Sequence, residues 1–202
     1  MSNQNWTFFQ AFLKSPRVVA SVIPSSPFLV RRIVKAADPV SARVVVELGG
    51  GTGGTTRAML KAMNPQARMM VIERTAEFID TLDGIDDARL EVVHGCASGI
   101  GSELGRRHLP AADVVISGIP FSTMQPDLCE EIVTAVNDAL APGGRFVAYQ
   151  FTDRVADYTK PVMGPPEVEI EFVNVPPIRL FIWRKDDTLR VTGHLNGASV
   201  GG

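Results

Sequence analysis

The sequence lacks long uninterrupted apolar runs, and it has few of the residues on which metal sites and disulfides depend. Its 202 residues include two cysteines and three histidines, and Cys96 and Cys129 show neither Cys-x-x-Cys nor Cys/His ligand spacing. We therefore expect no metal and reduced thiols. Apolar stretches end well before the roughly 18 residues that a membrane-spanning helix needs, and the N-terminus has no signal-peptide pattern. These absences favour a cytoplasmic protein.

Charge is nearly balanced overall but unevenly distributed. The formal net charge is −2, which disfavours a chain built to bind nucleic acid. Residues 1–37 contain five basic residues and no acid, whereas the rest of the chain holds 15 basic and 22 acidic residues. With 45% hydrophobic residues, the chain can bury a sizeable core. We predict a basic N-terminal arm with the first helices over residues 1–37, one folded domain over residues 38–192 and a disordered tail over residues 193–202.

The N-terminal arm carries an aromatic face with cations beside it. Trp6, Phe9 and Leu13 recur at helical spacing, which predicts a short amphipathic helix. Such a helix can lie in a membrane interface, with its rings at headgroup depth and its cations near anionic lipids. It can equally pack on the domain as a lid or core element. The residues predicted to contact a membrane are Trp6, Phe9, Phe12, Lys14 and Arg17.

The most informative stretch, residues 44–54, is a β-branched run that ends in an acid and continues into crowded glycines. Three valines favour a buried strand, and the glycines let the backbone turn sharply and approach a ligand. A helix follows, which Thr55 or Thr56 can cap. The glycines also match the G-x-G-x-x-G fingerprint of dinucleotide-binding folds. The loop predicts a nucleotide-cofactor pocket without identifying the cofactor.

A second strand, residues 69–72, ends at Glu73. This acid follows the glycines by about 20 residues, the place where a carboxylate accepts hydrogen bonds from both ribose hydroxyls. A P-loop is disfavoured because no Gly-Lys-Ser/Thr follows the glycines to neutralise a triphosphate. A chance acid after a glycine-rich turn explains the pair of motifs less well than a ribose site does. We therefore predict a cofactor that contains a nucleoside.

Strands and helices alternate along the middle of the chain. Strands are predicted near residues 44–48, 69–73, 90–94, 114–117 and 145–151, and helices near residues 28–37, 55–63, 76–82 and 128–140. Residues 167–173 and 180–185 follow as a hairpin at one edge. Further helices are predicted in the arm near residues 5–14 and 17–22. This order predicts an α/β fold with a mostly parallel seven-stranded sheet, helices on both faces and a C-terminal antiparallel hairpin.

Ordered segments between about residues 44 and 150 resemble the class I S-adenosylmethionine-dependent methyltransferases. Residues 47–53 are similar to their E/D-x-G-x-G-x-G loop, and Glu73 matches the acid that binds ribose. Residues 94–97 stand where the family often has Gly-Asp-Ala, whose Asp holds the adenine amino group, and Cys96 departs from that pattern. The resemblance implies a Rossmann-like class I methyltransferase fold and S-adenosyl-L-methionine as cofactor, with S-adenosyl-L-homocysteine as its product. The residues implied for cofactor binding are Glu47, Gly49, Gly51, Gly53, Glu73, Arg74, Cys96, Ala97 and Ser117.

Three further segments resemble the bacterial phospholipid N-methyltransferases, relatives of the rRNA adenine dimethyltransferases. They are residues 8–26, residues 117–121 (Ser-Gly-Ile-Pro-Phe) and residues 174–180. The resemblance implies methylation of phosphatidylethanolamine, and of its mono- and dimethyl products, toward phosphatidylcholine by an enzyme held peripherally at the inner face of the cell membrane. The rRNA enzymes usually have Asn where Ser117 stands, and a hydroxyl cannot present a carboxamide's geometry. An rRNA adenine N6-methyltransferase and a non-catalytic protein that binds S-adenosylmethionine or lipid remain alternatives.

Methyl transfer from a sulfonium is an in-line displacement, which needs alignment and desolvation more than a strong acid. A lipid amine is mostly protonated near neutral pH, so its lone pair must be released to water or to a base. Tyr149, Tyr158 and His94 are the candidates for that base. Tyr149, at a strand end, can also bind the methylammonium through its ring, or it can simply pack in the core. Ser117 is the second catalytic candidate. The predicted substrate-binding residues are Arg31, Tyr158 and Arg179, with the arginines facing lipid phosphate.

Overall fold

The computed structural model describes residues 26–173 and 177–187. The helices among these residues are α1 (Pro27–Ala37), α2 (Gly54–Ala62), α3 (Ala76–Asp83), α4 (Ile100–Arg106), α5 (Pro126–Ala139) and α6 (Arg154–Met163). The strands are β1 (Val44–Leu48), β2 (Arg68–Glu73), β3 (Leu90–His94), β4 (Ala112–Ser117), β5 (Leu140–Gln150), β6 (Glu167–Glu171) and β7 (Ile178–Arg184). The predicted arm helices near residues 5–14 and 17–22, the five membrane-contact residues and the tail lie outside the described residues.

The seven strands form one sheet in the order β3-β2-β1-β4-β5-β7-β6. Strands β1 to β5 run parallel, and β7 lies antiparallel between β5 and β6. The strand order reverses between β1 and β4, where Leu48 is in register with Ser117. Ligands of open α/β sheets bind beyond the strand ends at such a switch point. The predicted α/β class, the mainly parallel sheet and the C-terminal hairpin are confirmed.

Two apolar layers cover the two faces of the sheet, and β1 contributes to both. Val44, Val46 and Leu48 point into the layer beneath α4 and α5, whereas Val45 points into the layer beneath α1 and α2. All five residues of β1 are buried, as expected of a central parallel strand that is covered on both sides. Glu47 is the one acid in this strand, and by alternation it shares the α1 and α2 side. A carboxyl therefore lies inside an apolar layer.

One local prediction was wrong, and two helices were missed. Helix α2 is not capped by Thr55 or Thr56, because it begins at Gly54, and Gly53 is its N-cap with a left-handed φ of 77° that glycine adopts without strain. Helices α4 and α6 were not predicted. Three glycines in or beside α4 and Pro161 inside α6 lower helix propensity there, so packing decides both elements. None of the helices in the described ranges is long and apolar enough to cross a bilayer.

Candidate active site

A cavity of about 390 Å³ opens at the C-terminal ends of the parallel strands. Its size falls within the range of about 300 to 1,000 Å³ that is usual for small-molecule sites. The loop after β1, the ends of β2 and β3 and the loop after β4 form its walls. The structure thereby brings together the following predicted site residues: Gly49, Gly51, Glu73, Arg74, Cys96, Ala97 and Tyr149.

Glu73 joins the glycine loop to the end of β2. Its Oε1 accepts hydrogen bonds from the backbone N–H groups of Arg74 and Thr75, both at 2.8 Å, and its Oε2 accepts one from Gly51 at 2.9 Å. A carboxylate has about four lone-pair positions, so one is left for a ligand hydroxyl in this arrangement. A second ligand hydroxyl is accepted only if a backbone N–H gives up its bond. The carboxylate thus holds the loop and faces the cavity at the same time.

The glycine loop is tightly packed on one side and open on the other. A methyl group at Gly50 would lie 2.5 Å from Cγ1 of Val71, so that glycine lies against the core. A methyl group at Gly51 or Gly54 would meet no atom within 4 Å, because both positions border open space. The backbone can therefore approach a ligand closely along this side of the loop. Glu73 can bind a ribose, and the open side of the glycine loop can hold an amino-acid group. Together these features fit a cofactor built on adenosine.

The opposite end of the cavity is formed by the turn after β3. Cys96 is exposed there, and its Sγ accepts a hydrogen bond from the Ser98 hydroxyl at 3.4 Å. Ala97, Leu128 and Ile132 complete this end with apolar surface. Apolar walls with few polar groups suit a flat heterocycle. A thiol is a weak acceptor, so Cys96 would contribute little to binding an amino group at this end.

Glu47 lies in the layer below the cavity. Its side chain is completely buried, its Oε2 accepts a 2.6 Å hydrogen bond from the Thr56 hydroxyl, and its Oε1 has no partner among the described residues. Burial raises the pKa of this carboxyl from 4.5 to about 8; the bond from Thr56 lowers it, and the charge of Glu73 raises it further. A carboxyl with this pKa is mainly protonated at pH 7.

The stability of the protein should depend on pH through Glu47. A carboxyl whose pKa is higher in the folded than in the unfolded state adds stability below the unfolded value, and this stability is lost as the pH rises through the folded value. We expect the unfolding free energy of the wild type to fall, relative to Glu47→Gln, as the pH rises from 4.5 to about 8. Urea denaturation across this range measures it. Glu77→Gln, at an exposed position, is the control, and parallel curves for wild type and Glu47→Gln would contradict the prediction.

Tyr149 forms the side of the cavity next to the loop after β4. Its ring packs against Gly118, and burial, with smaller effects from the charges of Glu47 and Glu73, raises the pKa of its hydroxyl well above the ordinary value. A hydrogen bond with Thr55 opposes the rise. The hydroxyl therefore keeps its proton at neutral pH. This argues against Tyr149 as a general base, and the cation–π role of its ring stays a prediction.

Gln150 was missed by the sequence analysis, although it follows Tyr149 directly. It is buried, and its Nε2 donates a 2.7 Å hydrogen bond to the carbonyl of Ile119, which fixes the loop after β4. Ser117 is also buried, and its Oγ accepts a 3.4 Å bond from the N–H of Ile119. Both side chains support the loop from below. The signal available in the sequence was an amide side chain near the C-terminal end of a predicted strand.

The remaining predicted residues do not line the cavity. Gly53 caps α2, and Ser117 and Glu47 lie beneath the surface. Arg31 is exposed on α1. Arg179 donates a 2.8 Å bond to the carbonyl of Phe151, and Tyr158 packs beside Phe121 with ring centroids 6.5 Å apart. The predicted roles of these residues stay predictions.

Comparisons with known proteins agree with the geometry of the cavity. An ornithine lipid N-methyltransferase from Singulisphaera acidiphila is 36% identical over 141 residues, which cover 69% of this chain and 73% of that protein. The ribosomal RNA small subunit methyltransferase A of Xanthobacter autotrophicus is 42% identical over 72 residues, covering 34% of this chain and 24% of that protein. No family model matches the chain.

A solved structure extends the likeness over nearly the whole chain. The 1,6-didemethyltoxoflavin-N1-methyltransferase of Burkholderia thailandensis, with S-adenosylhomocysteine bound, aligns with a TM-score of 0.60 and 16% identity. The alignment covers 91% of this chain and 88% of that one. The sheet order and the glycine loop followed by a ribose-type acid are those of the class I S-adenosylmethionine-dependent methyltransferases. The chain belongs to this family, together with the ornithine lipid N-methyltransferase, and its cofactor is S-adenosylmethionine.

Proposed function

We propose that this methyltransferase N-methylates the amine of a phospholipid headgroup, converting phosphatidylethanolamine and its mono- and dimethyl products toward phosphatidylcholine. The observation that carries the proposal is the match over 141 residues, at 36% identity, to a relative that is an N-methyltransferase of a lipid. The match to the rRNA methyltransferase A spans 72 residues, and a match to the rRNA methyltransferase H of Parafrankia spans 124 residues at 30% identity but only 37% of that protein. Both are shorter than the lipid match, which supports a common donor site more than a common acceptor. The basic aromatic arm predicted from the sequence would hold the protein at the membrane surface.

In this proposal each wall of the cavity contacts a different part of the methyl donor. Glu73 binds the ribose of the donor, the open side of the glycine loop at Gly49 and Gly51 carries its amino-acid end, and the turn at Cys96 and Ala97 flanks its adenine. When bound, the donor supplies an electrophilic methyl group on a sulfonium. The protein's own contribution is then to align an amine with that methyl group and to exclude water from the approach.

The acceptor end of the cavity has a composition suited to this task. Beyond Gly118 the described residues of its wall are Ile119, Pro120, Met124 and the ring of Tyr149, and none of these four carries a charge. A wall of this kind favours the neutral, nucleophilic form of an amine over its ammonium form. The ring face of Tyr149 can then stabilise the methylammonium product by a cation–π contact. We propose Tyr149 as the catalytic contact and Ser117 as a support of the loop that holds it.

Arg179 is the proposed contact for the headgroup phosphate. It is in register with Gln150, the residue that anchors Ile119 of the acceptor wall. Its guanidinium has five N–H donors, of which one is bonded to the carbonyl of Phe151. In this proposal the remaining donors would bind the phosphate. We propose Tyr158 and Arg31 as more distant substrate contacts, which would meet the lipid outside the cavity.

Ornithine lipid is the second candidate acceptor, because it is named as the substrate of the 36% identical relative. Purified protein should be incubated with S-adenosylmethionine and three separate acceptors: phosphatidylethanolamine in anionic vesicles, ornithine lipid in the same vesicles, and rRNA. We expect mass spectrometry to find mono-, di- and trimethylated products of phosphatidylethanolamine. Methylation of ornithine lipid alone would make ornithine lipid, instead of phosphatidylethanolamine, the acceptor. Methylation of rRNA alone would overturn the lipid assignment. Glu73→Ala protein, assayed in parallel, gives the background level of methylated product.

A further inference from the structure

Two exposed apolar side chains follow the carboxyl end of β6, and we call them the apolar tip. They are Phe172 and Val173, which are 72% and 62% exposed. Strands β5 and β6 are both antiparallel to β7, so β6 ends at the same edge of the sheet as the parallel strands that form the cavity. Two strand spacings, about 10 Å, separate β6 from β5, whose Tyr149 lines the cavity. The apolar tip therefore lies on the edge of the sheet where the active site opens.

Polar contacts hold the apolar tip in a defined position. The Glu171 carboxylate accepts a 2.8 Å hydrogen bond from the backbone N–H of Val173. It also forms a 3.0 Å ion pair with Nε of Arg32 on α1. The side chain of Glu171 is 7% exposed, so salt screens this pair less than an exposed pair. The fold thus keeps Phe172 and Val173 in solvent, although removing their apolar surface from water would be favourable.

Helix α1 brings a third exposed apolar side chain to this edge. Phe28 is 53% exposed and lies one turn before Arg32 on the same side of the helix. Arg32 contacts the end of β6 through Glu171, whereas the other end of α1 lies near the amino ends of the strands, where Arg145 donates a 3.3 Å bond to the carbonyl of Ala36. The first turn of α1 is therefore at the same edge as the apolar tip. Exposed apolar side chains are ordinary when they occur singly, but a group at one edge indicates an interaction surface.

The charge of α1 is complementary to an anionic surface. The helix contains three basic residues and no acid. Arg32 is paired with acids of β6, whereas Arg31 and Lys35 are exposed. Residues 1–25, which join α1 at this edge, add two basic residues and no acid. Apolar side chains with cations beside them match the two layers of a lipid surface, an acyl boundary beneath anionic headgroups.

We propose that the apolar tip, Phe28 and Arg31 form a docking surface by which the folded domain itself binds an anionic lipid bilayer. The three apolar side chains enter the boundary between headgroups and acyl chains, and Arg31 meets anionic headgroups. The carboxyl edge of the sheet then faces the bilayer, and the cavity opens toward the amine of a lipid headgroup. The inference rests on the proposed lipid acceptor. It adds to the predicted arm a contact made by the folded domain, and it gives the domain one orientation on the membrane.

Vesicle flotation measures this contact without any turnover. The full chain is mixed with vesicles of phosphatidylethanolamine and phosphatidylglycerol in the absence of a methyl donor. We expect the double variant Phe172→Ser/Val173→Ser to bind these vesicles about tenfold more weakly than the wild type, because it loses apolar area at the interface. Val40→Ser is the matched control: Val40 is 65% exposed but precedes β1 at the opposite edge of the sheet, so its replacement should leave binding unchanged. The double variant should unfold at the wild-type midpoint, since Glu171 contacts the backbone of Val173 and not its side chain.

The charged part of the surface has its own pair of variants. Arg31 lies about 4.5 Å along α1 from Phe28, and Lys35 about 10 Å, which is close to the Debye length at physiological salt. Arg31→Gln should therefore weaken binding to the anionic vesicles by about fivefold, and Lys35→Gln by less. On vesicles of phosphatidylcholine alone, the effect of Arg31→Gln should disappear. Equal effects of the two substitutions would contradict the proposed orientation.

Turnover separates the docking surface from the proposed function. The double variant should methylate phosphatidylethanolamine in vesicles more slowly than the wild type, but a short-chain phosphatidylethanolamine dissolved as monomers at the wild-type rate. Wild-type vesicle binding by the double variant would overturn the docking surface and leave the lipid acceptor standing. Weakened binding of the double variant, with no lipid methylated by the wild type, would overturn the acceptor and leave the surface. A lower molar mass of the double variant in light scattering without lipid would assign the apolar tip to a contact between copies of the chain, and so overturn the proposal.

Discussion

Replacement of Glu73 by alanine is expected to lower the affinity for S-adenosylmethionine by about 10- to 100-fold. In the proposed complex the carboxylate accepts hydrogen bonds from the ribose, and such charge-assisted bonds contribute about 1.5–3 kcal/mol each. Three backbone N–H groups leave one position on the carboxylate, so the loss of at least one such bond corresponds to roughly 10- to 100-fold in the dissociation constant. The variant also releases the N–H of Gly51, which Glu73 holds at 2.9 Å, so the glycine loop loses its attachment to β2. Calorimetric titration with the donor measures the effect.

Two controls separate loss of the ribose contact from general damage. Glu77→Ala removes an exposed acid from the neighbouring helix α3 and should leave donor affinity unchanged. The unfolding midpoint of Glu73→Ala should show that the domain is folded at the temperature of the titration. A folded Glu73→Ala protein that binds the donor as tightly as the wild type would contradict the assignment of the ribose site.

Much of the fold could be predicted because local pattern and tertiary structure agree. The three valines before Glu47 form a buried strand, and the acid after the next strand, Glu73, faces the glycine loop, because parallel strands end at a common edge. Helices α4 and α6 could not be predicted, since the glycines around α4 and Pro161 in α6 oppose helix formation locally. Contacts with distant parts of the chain override that propensity, and a short sequence window does not contain them.

The site residues, like the elements of the fold, divide into those that the sequence predicts and those that it does not. Residues whose backbone faces the ligand, such as Gly49 and Gly51, follow from the motif. Residues whose role depends on the elements packed around them cannot be predicted from the motif. The sequence cannot show that Ser117 points beneath its loop, that Gln150 anchors Ile119, or that one oxygen of Glu47 is left without a partner. These facts depend on how β1, β4 and β5 are positioned against one another and against α2, which is a property of the folded domain.

Substitution of Gly118 by alanine should lower turnover by about 100-fold while the donor still binds. A methyl group at this position would lie 2.7 Å from Cζ of Tyr149 and closer still to its hydroxyl, so the ring has to move. The ring forms one wall of the acceptor end, and a displacement of about 1 Å at a reacting centre can cost about 100-fold in rate. Gly118 lies on the acceptor side of the cavity, so the dissociation constant for S-adenosylmethionine should change much less. Single-turnover methylation of lipid vesicles, combined with donor titration, separates the two effects.

A double substitution identifies the contact responsible. Tyr149→Phe removes the atom nearest to the new methyl group and keeps the ring, so the Gly118→Ala defect should be smaller in the Tyr149→Phe background than in the wild type. Gly101→Ala, where the added methyl group meets nothing within 4 Å, controls for a glycine substitution outside the cavity. Turnover of Gly118→Ala at the wild-type rate would show that methyl transfer does not depend on this position of the Tyr149 ring. An equal loss of donor affinity and turnover would instead place the methyl donor, rather than the amine, against Gly118.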